Sequence, residues 1–249
     1  MRATAIEFRL RMPINAVIIV LGFWAPWIEV FGIGSRISLL EWLALEVSRA
    51  RLLTFTFATP AVIIAAALVA GFAAVLRVWG TAYLGPGTVT SAHMKAEHVM
   101  AAGPYRFVRN PLYLGVWGMV AGMSIVMPPS GALVSLLLVT VFLLRLIFGE
   151  EAFLSAKLGA PYQAYLARVP RLLPSLRTGI SPSDAKPDWV RGVLSELLPI
   201  GVFLAIAVVS WSYDNRLVGR VILISLGVSM VVRALMPPSR TGQAEATNA

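Results

Sequence analysis

Six stretches of the chain are almost wholly apolar, with the polar residues gathered between them: about 13 to 33, 54 to 76, 111 to 127, 131 to 148, 194 to 213 and 218 to 235. Leu112 to Leu144 is 33 residues without a charge and Leu52 to Leu76 is 25, against the roughly 20 that cross a bilayer as helix. As a single helix the longer run would be roughly 50 Å long, well beyond a hydrocarbon core of about 30 Å. Pro128, Pro129, Ser130 and Gly131 are therefore expected to turn it into a hairpin. The pattern predicts an all-α, polytopic membrane protein of about six transmembrane helices around a helical hairpin core.

Composition agrees. Of 249 residues 58% are hydrophobic and 13% charged, and the mean hydropathy of +0.78 is more than a soluble domain needs for one core. The net charge of +9 forms no dense basic cluster with interleaved aromatics, so no nucleic-acid partner is expected. The basic residues read instead as topology signals. With the N-terminus inside, fourteen Lys and Arg fall on the cytoplasmic side, four on the opposite side and three within spans, which favours cytoplasmic termini. In a bacterium this would be the inner membrane. Bulky Trp24 and Trp27 and the lack of a small-x-small site make the first apolar run a retained span rather than a cleaved signal. There is no cysteine, so thiolate nucleophiles and zinc-thiolate sites are excluded. His93 and His98 are too few for an all-histidine metal site, and no metal is expected.

The long polar segments at about 77 to 110 and 149 to 193 flank the hairpin and hold the residues capable of chemistry. The expected organisation is two N-terminal helices (1–76), a core (77–180), a two-helix appendage after the SPSDAKP linker (188–236) and a tail (237–249). Ala66, Ala70 and Ala74 in the second run, with Gly118 and Gly122 in the third, suit close helix packing.

Three features stand out. In the first, Gly103 to Gly115, Asn110 and Pro111 suit the start of a helix as N-cap and first residue. The same stretch brings Tyr105, Asn110 and Tyr113 near a helix N-terminus, where free N–H groups favour a carboxylate. In the second, Glu150 and Glu151 read either as a solvated helix face or as a holder for a ligand ammonium. Arg145, five residues earlier, must pair, snorkel or line a polar cavity at that depth. The third, Phe153 to Pro174, alone reads as an interfacial helix broken by prolines.

Together these features resemble the isoprenylcysteine carboxyl methyltransferase family and the related phospholipid N-methyltransferases, integral membrane enzymes that use S-adenosylmethionine. The likeness rests on Gly103 and Tyr105; Arg109, Pro111, Tyr113 and Gly115; Glu150, Glu151 and Leu154; and Gly159, Tyr162, Tyr165, Val169, Pro170, Arg171 and Pro174. It covers about residues 77 to 174. The resemblance implies a cytoplasm-facing S-adenosylmethionine pocket lined by Tyr105, Asn110, Pro111, Leu112, Tyr113 and Glu150, with the backbone of Glu97, His98, Val99 and Met100. Glu150 would face the cationic part of the donor. Arg145 and Glu151 would act on the acceptor side, Arg145 holding an anionic group and Glu151 lying behind Glu150 or facing substrate. Asn110 stands where the carboxyl-methylating pattern has histidine, so any acid–base role there is lost; the phospholipid-methylating relatives also place Asn before Pro.

The expected reaction is methyl transfer to a lipophilic acceptor drawn from the membrane. The candidates are an isoprenylcysteine carboxylate, a phospholipid amine or a small thiol or amine. A small membrane transporter or scaffold is the non-enzymatic alternative. The doubly wound fold of soluble methyltransferases has no support, since Gly32-Ile33-Gly34 follows an apolar helix.

Overall fold

The two longest apolar runs become the two longest helices. The computed structural model describes residues 2–85, 101–181, 185–212 and 215–235, and every regular element among them is helical. In chain order these are α1 (Ala5–Arg9), α2 (Arg11–Trp24), α3 (Trp27–Phe31), α4 (Leu39–Arg49), α5 (Phe55–Leu84), α6 (Pro111–Met123), α7 (Pro129–Leu158), α8 (Ala160–Arg168), α9 (Trp189–Ser195), α10 (Leu197–Ser212) and α11 (Asn215–Leu235). Two 3-10 turns, Gly103–Arg106 and Ser124–Val126, precede and follow α6.

Of six expected spans, α5 and α7, at 30 residues each, are long and apolar enough to cross a membrane alone. Helices α9 and α10 meet that test as a pair, bent by 65°. Helix α2, the stretch Pro111–Val126 and the Gly219–Val232 part of α11 are apolar but shorter. The expected first span, 13 to 33, is broken: Ala25 adopts a left-handed conformation (φ 41°) that ends α2, and Pro26 starts α3. The expected hairpin lies slightly earlier than its prolines suggest. The chain turns through Ser124–Val126, and Pro128 and Pro129 open α7, because proline fits a first helical turn, whose N–H groups lack partners. Residues 34 to 53, between the first two expected spans, contain α4, capped by Ser38 and Glu41 in a reciprocal capping box. Helix α7 also runs ten residues beyond the expected end at 148, which places Glu150 and Glu151 on a rigid element.

Small residues set the closest contacts. On α6, a Cβ at Gly118 would lie 2.9 Å from Ala73 Cβ, and one at Gly122 would lie 2.8 Å from Ala70 Cβ and 3.2 Å from the Ala66 carbonyl. The two helices therefore pack through the small residues that the sequence marks. Helices α2 and α7 approach just as closely, since a Cβ on Gly131 would overlap the Gly22 carbonyl. Beside that contact Ser135 donates to the Ile18 carbonyl at 3.1 Å. Val202, Ala205 and Ile206 of α10 share a buried cluster with Ile63, Ala66 and Ala70 of α5. Helices α9 and α10 thus pack directly on the core helix that leads to the site.

Candidate active site

The site is built where the ends of α5, α6 and α7 meet the 3-10 turn at 103–106. That turn requires a glycine: Gly103 has φ +54°, and a Cβ there would overlap the Tyr83 ring. It buries Tyr105, whose carbonyl accepts from the Tyr165 hydroxyl at 2.8 Å. Main-chain bonds from Arg109 N to Pro170 O and from Ser175 N to Phe107 O, each 2.9 Å, stitch the loop to the segment after α8. Arg106 adds donors to the Ile180 carbonyl, and Thr178 donates to the Arg106 carbonyl at 2.7 Å.

Asn110 precedes α6 as expected, but its side chain makes no capping bond. Its Nδ2 instead donates at 3.2 Å to Glu151 Oε1 and at 3.2 Å to the Arg171 carbonyl. A buried carboxylate is a strong acceptor for the amide N–H. Glu151 also accepts from Arg171 Nε and Nη2, at 3.1 and 2.9 Å, and lies 3.6 Å from Arg109 Nε. It is therefore the anchor that ties α7 to the chain on both sides of the site. Glu150, one residue earlier, turns to a different face and is hydrogen-bonded by the Tyr113 hydroxyl.

A cavity of about 170 Å³ opens between these elements. Its walls include Tyr105, Asn110, Pro111, Leu112, Tyr113, Glu150 and Glu151, so seven of the residues singled out from sequence converge on one space. Glu97, His98, Val99 and Met100 lie outside the described residues. Arg145 is absent from the wall. Its Nε and Nη2 donate to Glu7 of α1 at 3.1 and 2.9 Å, the pairing that makes a guanidinium tolerable at that depth. Phe8, Arg11, Met12 and Asn15 from the first helices, and Arg77 from α5, also line it. The N-terminal four carry no sequence signal, since an apolar helix facing a cavity reads like one facing lipid. Tyr162 and Tyr165, noted only as part of the resemblance, also line the cavity.

Among the described residues, the Tyr105 hydroxyl and Asn15 Oδ1 are buried without a hydrogen-bond partner, and both residues face the cavity. Burial, reinforced by the Glu150 charge, pushes the Tyr105 hydroxyl well above the usual tyrosine range. Burial likewise raises Tyr162, aided by Glu151, and Tyr165, aided by Tyr162. All three therefore stay protonated donors at neutral pH.

Residues 54–160 match the model of the phospholipid methyltransferase family. No curated protein and no solved structure matches the chain. The matched segment runs from the start of α5 to the start of α8 and includes every cavity residue from Arg77 to Leu158. Over these residues the chain is similar to the phospholipid methyltransferase family, a family of membrane methyltransferases.

Proposed function

We propose that the protein is an S-adenosylmethionine-dependent integral membrane methyltransferase that methylates the amine head group of a phospholipid. The observation that carries this reading is the convergence of Tyr105, Tyr113 and Glu150 on one cavity beside the N-terminus of α6. Such a donor supplies an electrophilic methyl group on a sulfonium and needs no covalent nucleophile from the protein, only positioning. Its chemistry fits the residues present. Glu150 offers a carboxylate to cationic groups, the unpaired Tyr105 hydroxyl and Asn15 Oδ1 offer a donor and an acceptor, and the first-turn N–H groups of α6 suit a carboxylate. Buried polar atoms left without partners cost on the order of 1–3 kcal/mol each, a cost that a polar ligand removes.

The phospholipid amine is favoured because Arg145, the residue best suited to an anionic acceptor, is tied to Glu7 away from the cavity. An isoprenylcysteine carboxylate is the second reading, favoured by the guanidinium groups of Arg11 and Arg109 on the cavity wall. The fourteen-to-four bias of Lys and Arg supports a multi-pass protein whose termini and cavity face the cytoplasm.

The test is equilibrium binding of S-adenosylmethionine to the protein in lipid nanodiscs, with Glu150→Gln as control, followed by mass spectrometry of phospholipid and prenylcysteine pools for one added methylene. Binding lost in the variant together with a methylated phospholipid is the expected result. A methylated prenylcysteine would select the second reading, and a folded wild type that binds no donor would overturn both.

A further inference from the structure

Glu196 lies outside the segment that matches the family, at the break between α9 and α10, and is completely buried. Its carboxylate accepts from Arg77 Nε at 2.6 Å and Arg77 Nη2 at 2.9 Å, and from Thr81 Oγ1 at 2.6 Å. Arg77 in turn donates through Nη1 to the Leu112 carbonyl at 3.2 Å, on the first turn of α6. Gly115 leaves the space for this: a Cβ there would overlap Arg77 Cγ. The guanidinium is thus held between the C-terminal helices and the helix start that lines the cavity, and Arg77 forms part of the cavity wall.

A buried ion pair is weak evidence for stability, because apolar residues of similar volume often serve as well or better. The position of this one suggests an electrostatic task. With the pair intact Arg77 carries no net charge into the cavity, whereas an uncompensated guanidinium there would repel a sulfonium. We propose that Glu196 is a positioning residue for the donor site, acting through Arg77: it orients the guanidinium on the cavity wall and cancels its charge, so that the cavity accepts a cationic ligand. This rests on the reading of the cavity as a donor site. It makes the C-terminal helices part of the working enzyme rather than an appendage.

The test compares binding of S-adenosylmethionine and S-adenosylhomocysteine in nanodiscs. The second ligand has a neutral thioether where the first has the sulfonium. Wild type is expected to bind both. Glu196→Gln is expected to weaken S-adenosylmethionine by roughly tenfold, the order expected for one uncompensated charge on the wall of a cavity with an effective dielectric near 20, and S-adenosylhomocysteine by less than about threefold. The double variant Arg77→Gln with Glu196→Gln buries no charge and is expected to regain the wild-type preference between the ligands. It carries the test if the single variant does not fold. Equal weakening of both ligands in Glu196→Gln, no change in either, or a double variant with an altered preference would overturn the electrostatic role. A folded wild type that binds neither ligand would instead overturn the donor-site reading, and this role with it.

Discussion

Asn110 Nδ2 donates to Glu151 Oε1 at 3.2 Å, across 41 residues of sequence, so the side chain before α6 serves Glu151 while its carbonyl accepts from Leu114 N at 3.1 Å. Asn110→Ala removes this donor and also frees the Arg171 carbonyl, while Arg171 keeps its own bonds to Glu151. The expected cost is about 1–2 kcal/mol of stability, read as a lowered melting temperature in detergent. Asn110→His, which retains a ring N–H donor, is expected to cost less.

Two tyrosines are expected to separate ligand binding from folding. The Tyr105 hydroxyl has no hydrogen-bond partner among the described residues, whereas the Tyr165 hydroxyl is bonded to the Tyr105 carbonyl. Tyr105→Phe is expected to leave the melting temperature of the free protein unchanged or slightly raised, and to weaken S-adenosylmethionine by about 3- to 10-fold. Tyr165→Phe is expected to destabilise the free protein by about 1 kcal/mol. Thermal unfolding and calorimetric titration of both variants check the pair, and a Tyr105→Phe protein of unchanged affinity would count against the cavity as donor site.

Gly115 faces Arg77 with no room for a methyl group, and a Cβ would also lie 3.1 Å from the Ala73 carbonyl. Because Arg77 is held at three of its nitrogens, it has little freedom to give way. Gly115→Ala is expected to cost about 1–3 kcal/mol by overpacking. It should also lower donor affinity, since the displaced guanidinium is the one bonded at Leu112. Melting temperature and ligand titration on the same preparation measure both effects.

The pairing of Glu7 with Arg145 predicts a pH dependence. Hydrogen bonds from Arg145, and then from the Thr4 backbone, hold the Glu7 carboxyl at about 2, below its usual 4.5. A carboxyl lowered in the folded state contributes stability that is fully present above its unfolded value and is lost as pH falls through its folded value. Melting temperature is therefore expected to fall between about pH 4.5 and pH 2 as this contact is protonated. Glu7→Gln should melt lower at neutral pH and lose less over that window, and identical pH profiles for the two proteins would refute the linkage.

The residues that announce themselves in sequence are those whose neighbours along the chain share their task. Tyr105, Pro111 and Tyr113 occupy one turn and helix start, and Glu150 with Glu151 sits on one rigid helix, so local spacing is enough to mark them. The alanines and glycines of α5 and α6 are legible for a similar reason, since close packing leaves a helical period. Partnerships across long separations are not. Arg145 is marked as a charge that needs a partner, but Glu7 lies 138 residues away, and no periodicity connects them. Glu196 is visible as a lone acid in an apolar run, yet its bond to Arg77 depends on a 65° bend that composition does not encode. The capping box at Ser38 and Glu41 is a readable signal for α4. The left-handed Ala25 that cuts the first span is not, because alanine has no preference for that conformation.

The separation between Arg77 and Glu196 also bears on how the protein is made. Their 119 residues take about 6 to 24 s to synthesise at roughly 5–20 residues per second. During that interval the nascent α5 carries a guanidinium that has not yet met its carboxylate. The partner arrives only with the last fifth of the chain, and a polypeptide that stops before residue 196 would hold every family-matched residue yet lack the carboxylate that pairs with Arg77.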